Sequence, residues 1–102
     1  MNVKEHAMPL FDELAARRRS ETLKALGHPI RLRIVDLLNS RAHNVGEIAG
    51  LLVVDSAIVS QQLKILRMSG LVQASRRDGH SYYSLAMPQL RNLLECLKSC
   101  EH

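Results

Sequence analysis

The chain has 102 residues, of which 46% are apolar but only 3% aromatic, and it carries a formal charge of +4 with a pI near 9.5. That length has room for one modest core, and a core of Leu, Ile, Val, Ala and Met with so few rings suits a mainly helical protein, not a barrel or sandwich. The basic balance favours an anionic partner, and a small core gains from burying a further apolar face against a second copy, so a single domain over 1–102 and a homodimer are expected.

The N-terminus, "MNVKEHAMPLFDELAA", is broken by Lys4, Glu5, Asp12 and Glu13 where a signal peptide is apolar. No apolar run approaches the roughly 18 residues of a membrane span. A cytoplasmic protein without a membrane partner is expected, with its two cysteines reduced. Leu10, Phe11, Leu14, Leu23 and Leu26 recur at helical intervals and predict one long or two short helices, stopped at Gly27. His28 before Pro29 then reads as a break and a cap for the next helix, since a polar side chain there satisfies free N–H groups and proline suits the first helical position. In that helix Ile30, Ile34, Leu37 and Leu38 form an apolar stripe, with Arg31, Arg33 and Asp36 off it.

A short helix follows through Val45, Ile48, Leu51 and Leu52, with Asn44 as its cap. Asp55 caps the next one, "SAIVSQQLKILRMSG", whose Val59, Leu63 and Leu66 point to the core and which Gly70 ends. Two short helices meeting at a tight connection make a helix-turn-helix, placed at about 44–69. Beyond it the period drops to two, and Asp78-Gly79 between two candidate strands predicts a hairpin with a type I′ turn, a wing at about 71–85. Tyr83 and Leu85 share one face and Tyr82 the other, so one tyrosine is expected to reach the core and one to stay accessible. A last helix closes the chain at about 87–101. His6 and His43 have no neighbouring partners in sequence and read as surface residues.

Helices followed by a two-stranded hairpin compose a winged helix-turn-helix, in which one helix enters the major groove of DNA and the hairpin touches the backbone beside it. The face opposite Val59, Leu63 and Leu66 carries Ser56, Ala57, Ser60 and Gln61, short or amide side chains able to approach base edges, and Lys64, able to meet phosphate. Arg76, Arg77 and His80 crowd the hairpin tip. A polar helix face is ordinarily only solvated, and paired arginines beside a turn are common on surfaces. Their order along one architecture is what favours double-stranded DNA.

At this point the segments "LKALGHPIRLRIVDLLNSR", "VSQQLKILRMSGLV" and "RRDGHSYYSL" resemble those of the ArsR/SmtB repressors, over roughly residues 20 to 85. The resemblance implies a small bacterial winged-helix homodimer joined through its N- and C-terminal helices, which releases an operator of imperfect palindromic form when it binds a metal ion or related inducer. It places Ser56, Ala57, Ser60 and Gln61 on the recognition helix, and Gln62 where many members carry histidine. The Cys-Val-Cys of many arsenic and cadmium sensors is replaced here by Asn44, Val45 and Gly46. At the zinc-sensor positions stand Met87, Gln89 and Cys100, and neither Met nor Gln replaces a carboxylate or imidazole on Zn²⁺.

Both cysteines lie in the closing "LLECLKSCEH", beside an apolar stripe of Leu90, Leu93, Leu94 and Leu97. Side chains at i and i+4 on a helix have Cβ atoms roughly 5–6 Å apart, too far for an unstrained disulfide. Cys96 and Cys100 could share a thiophilic inducer such as As(III), Cd²⁺ or Zn²⁺, with a third ligand from His102 or a second subunit. No cofactor is needed for DNA binding itself. Two other readings stay open: reversible oxidation or sulfur transfer at the thiols, or two small apolar residues with no sensing role. A winged helix serving as a protein-interaction module is a rival at the level of the whole fold. A dithiol enzyme is disfavoured by the C-x-x-x-C spacing without a preceding strand-to-helix context.

Overall fold

The computed structural model describes residues 9–100. In order along the chain come α1 (Glu13–Leu26), α2 (Pro29–Ser40), β1 (His43–Asn44), α3 (Val45–Leu52), α4 (Ser56–Met68), β2 (Val72–Arg77), β3 (His80–Leu85) and α5 (Leu90–Lys98). The helix boundaries follow the local chemistry. Asp12 caps α1 through the Ala15 N–H at 2.7 Å, and Gly27 closes it. His28 caps α2 as expected, its Nδ1 accepting from the Ile30 N–H at 3.2 Å with Pro29 at the first position.

The core joins Ile34, Val35 and Leu38 of α2, Ile48 of α3, Val59, Leu63 and Leu66 of α4, Leu71 and Val72 entering the wing, and Leu90 and Leu94 of α5. Val35, outside the expected stripe, is as deeply buried as Ile34 within it, whereas Ile30 and Leu37 are only half-buried. One long helix, not two, precedes Gly27, and only its end, Ala25 and Leu26, is buried. Leu10, Phe11, Leu14 and Leu23 are exposed. The radius of gyration of 15.9 Å, against about 13 Å for a compact chain of this length, reflects that projecting arm.

The expected hairpin is joined by a third strand. The sheet is antiparallel in the order β1-β3-β2, with His43 opposite Tyr83 and Asn44 opposite Tyr82. This overturns the surface reading of His43, which is 2% exposed, its Nδ1 2.8 Å from the Arg41 carbonyl. A two-residue strand leaves no periodic trace in sequence, so the pairing that buries the ring could not be read there. Asp78 and Gly79, at φ 51° and 81°, supply the two positive φ values of a type I′ turn.

Candidate nucleic-acid interface

Asn44 begins the helix-turn-helix. Its side chain accepts from the Glu47 N–H at 2.8 Å while Glu47 accepts from the Asn44 N–H at 3.0 Å, a reciprocal cap that fixes the entry of α3. That bond from the Asn44 N–H, helped by the neighbouring Arg41 and His43, holds the Glu47 carboxyl below the usual range against the smaller opposing effect of burial. Between α3 and α4 the chain bends by 114°, within the helix-turn-helix range. Val53 makes the corner at φ 56° and ψ 52°, and Asp55 caps α4 by accepting from the Ala57 N–H at 2.8 Å.

α4 divides cleanly. Val59, Leu63 and Leu66 are buried to 1% or less, whereas Ser56, Ala57, Ser60, Gln61 and Lys64 are all exposed. On a wheel of about 100° per residue, Ala57, Gln61, Lys64 and Met68 run along the middle of the open face. Ser60 and Arg67 border it on one side, and with Lys64, Met68 and Tyr83 they line an open cleft of about 340 Å³ beneath β3. Arg67, Met68 and Tyr83 thus belong to the same surface although the sequence reading omitted them; the i, i+4, i+7 spacing of Ser60, Lys64 and Arg67 was the available signal.

The register separates the hairpin's basic residues. Arg77 pairs with His80 on the outer face, while Arg76 pairs with Ser81 on the other. The Arg77 guanidinium lies 4.6 Å from the ring centre of Tyr82; both tyrosines are half-buried, Tyr83 against the core, so the expected split into one core and one accessible ring is not seen. Stacking of this kind holds the long arginine side chain extended along the wing. Arg76 reaches Ser81 Oγ at 3.4 Å, and Arg76, Arg77 and His80 are all exposed.

At the other end of the chain, Cys96 lies on α5, but Cys100 lies beyond the helix, which ends at Lys98 instead of 101. The turn nevertheless continues, with the Cys100 N–H donating to Leu97 at 3.2 Å and its Sγ 3.5 Å from the Cys96 carbonyl. Both thiols are exposed, and among the described residues no group of three or more His, Cys, Asp or Glu could hold a metal ion. The two sulfurs offer two donors of the three or four a thiophilic ion takes. His102, named as a third, lies outside the described residues.

The sequence profile of the arsR family of bacterial regulatory proteins matches residues 28–74. The HTH-type transcriptional regulator Rv0081 of Mycobacterium tuberculosis is 45% identical over 78 residues, covering 74% of this chain and 68% of that protein. The biofilm growth-associated repressor of Xylella fastidiosa is 33% identical over 85 residues, covering 83% and 75%. Among solved structures, the homodimeric winged helix-turn-helix DNA-binding domain of Mb0332 from Mycobacterium bovis, 30% identical, superposes with a TM-score of 0.75 over 87% of this chain and 84% of that one. The order of caps, bent helix pair and wing agrees with these likenesses, and the chain belongs to the ArsR/SmtB family of winged helix-turn-helix transcriptional regulators.

Proposed function

We propose that this ArsR/SmtB-family repressor works as a homodimer, laying α4 of each copy in successive major grooves of an imperfect palindrome in double-stranded DNA. The observation that carries the reading is the division of α4, which buries Val59, Leu63 and Leu66 in the core and keeps Ser56, Ala57, Ser60, Gln61 and Lys64 free, beside the exposed Ile58, Ile65 and Met68. Serine and amide groups read base edges; Lys64, with Arg76, Arg77 and His80 on the wing, meets phosphate. The second copy is supported by the exposed Leu10, Phe11, Leu14 and Leu97 of the two end segments and by the homodimeric relative.

Release of DNA is assigned to Cys96 and Cys100. Their helix is tied to α2 by Lys98 to Asp36 at 2.6 Å and by Arg91 to Asn39 at 3.2 Å, so a change at the thiols reaches the elements that carry α4. A thiophilic ion such as As(III), Cd²⁺ or Zn²⁺ favours one of two dimer geometries, and a hundredfold loss of DNA affinity needs about 2.7 kcal/mol of differential binding. The remaining donors would come from a second copy or from His102. A second reading, oxidation or sulfur transfer at the thiols, is favoured by their exposure and by the lack of a third donor among the described residues.

One titration tests both. Fluorescence anisotropy with a duplex selected from a random pool should show binding whose affinity falls steeply with salt. Reduced protein is then challenged separately with As(III), Cd²⁺, Zn²⁺, peroxide and persulfide. Cys96→Ser with Cys100→Ser should bind the duplex as before and no longer release it. Release that survives the double change removes the thiols from the account, and salt-insensitive or absent duplex binding removes DNA.

A further inference from the structure

Gln62 is the one polar side chain on the core side of α4, 9% exposed beside Val59, Leu63 and Leu66. A buried amide costs free energy unless its groups are paired. Its Oε1 accepts from Arg31 Nη1 at 2.9 Å, and the Nε of the same guanidinium donates to the Ala25 carbonyl at 2.6 Å. That carbonyl has a specific need of a donor. Its helical partner would be the N–H four residues on, and that residue is Pro29, which has none. One planar fork from α2 therefore closes the end of α1 and grips the middle of α4 at once.

Apolar packing is not directional and tolerates small rotations of a helix; a guanidinium held between two acceptors does not. No other hydrogen bond or ion pair between side chains of α4 and those of the helices preceding it is found among the described residues. We infer that Arg31, acting through Gln62, is a positioning residue for operator recognition. It sets the roll of α4 about its axis, and hence the aim of Ser60, Gln61 and Lys64, against the end of the α1 arm. The role rests on the DNA-binding reading above and adds a residue that touches no DNA.

The test compares operator affinity with affinity for a duplex of unrelated sequence, in full-length protein, across a series of salt concentrations. Gln62→Leu keeps the volume but leaves the guanidinium without its acceptor. It should weaken operator binding about tenfold, leave binding to the unrelated duplex unchanged, and keep the salt slope, because no phosphate contact is lost. Gln62→Glu restores an acceptor and should recover operator affinity. Arg31→Lys should not, since a single ammonium cannot span both acceptors. Thermal melts identify any variant that fails to fold, and the Gln62→Glu recovery then carries the decision. Equal operator affinity in wild type and Gln62→Leu, or equal loss on both duplexes, overturns the positioning role. Wild-type protein that binds neither duplex at low salt instead overturns the DNA-binding reading, and the role falls with it.

Discussion

α4 and α5 are both amphipathic, and they use their faces in opposite ways. α4 buries Val59, Leu63 and Leu66 within its own protomer, down to Leu66 at 0% exposure, and shows solvent serine, amide and cationic groups together with Ile58, Ile65 and Met68. α5 buries Leu90 and Leu94 but leaves Leu97 46% exposed, beside the open thiols of Cys96 and Cys100. A helix face that carries mainly hydroxyl, amide and cationic groups suits a polar ligand; an apolar face left open beside few such groups calls for a further apolar surface. On the function proposed above, the same contrast separates the helix that would read DNA from the one that would join copies and sense.

The sharpest way to break this comparison is to put a carboxylate on the open face of α4. Gln61→Glu sets a negative charge among groups meant for DNA, and operator affinity should fall at least about a hundredfold at moderate salt, with folding unchanged because Gln61 is exposed. Anisotropy titration beside a thermal melt measures both; a modest loss would place the interface elsewhere. On the other helix, Leu97→Glu should raise the dimer dissociation constant about tenfold or more by sedimentation equilibrium, and weaken operator binding as dimer is lost. An unchanged dimer would mean that the exposed end of α5 faces solvent or a different partner.

A smaller effect concerns the start of the helix-turn-helix. The Glu47 carboxyl is held below the usual range in the folded chain, so its contribution to stability is present above the unfolded pKa and lost as pH falls through the folded one. Melting midpoints of wild type and Glu47→Gln should therefore differ at neutral pH and converge in acid. A difference that persists at low pH would assign the effect to side-chain geometry and not to charge. Asn44→Ala removes the other half of the box and should cost about 1 kcal/mol at every pH.

Much of this was legible beforehand, for reasons that particular residues make plain. Asp55, Asn44, His28 and Asp78-Gly79 act through bonds or dihedrals within a few positions of themselves, and each does in the structure what its neighbours in sequence imply. The exposed set on α4 followed from period alone. His43 and Gln62 were misjudged or passed over because their partners, Tyr83 across the sheet and Arg31 in α2, lie far along the chain. Arg67 continues the face of Ser60 and Lys64 by one further turn, a spacing the sequence itself carries. The thiols were placed on one helix, and the early end of α5 at Lys98 was hidden because nothing between Lys98 and Cys100 breaks a helix outright.

The smallest expected effect is also the most local. Among the described residues three corners take positive φ: the end of α4, filled by Gly70, the wing turn, filled by Asp78 and Gly79, and the bend between α3 and α4, filled by Val53. Glycine adopts this region without a Cβ clash, whereas a β-branched residue there is crowded against its own backbone at about 1–2 kcal/mol. Val53 is 89% exposed, so little burial within the protomer offsets the strain. Val53→Gly removes the clash but frees the unfolded chain, which returns part of the gain. The net should be about 0.5–1 kcal/mol of added stability, a rise in melting midpoint of about 2–8 °C. Operator affinity should stay as it was if the corner only turns the chain. A more stable variant that binds the operator less well would instead show that the Val53 side chain, standing at the junction of the two helices, meets the DNA or the second copy, and the boundary drawn here between a reading surface and a joining surface would have to move to include the turn.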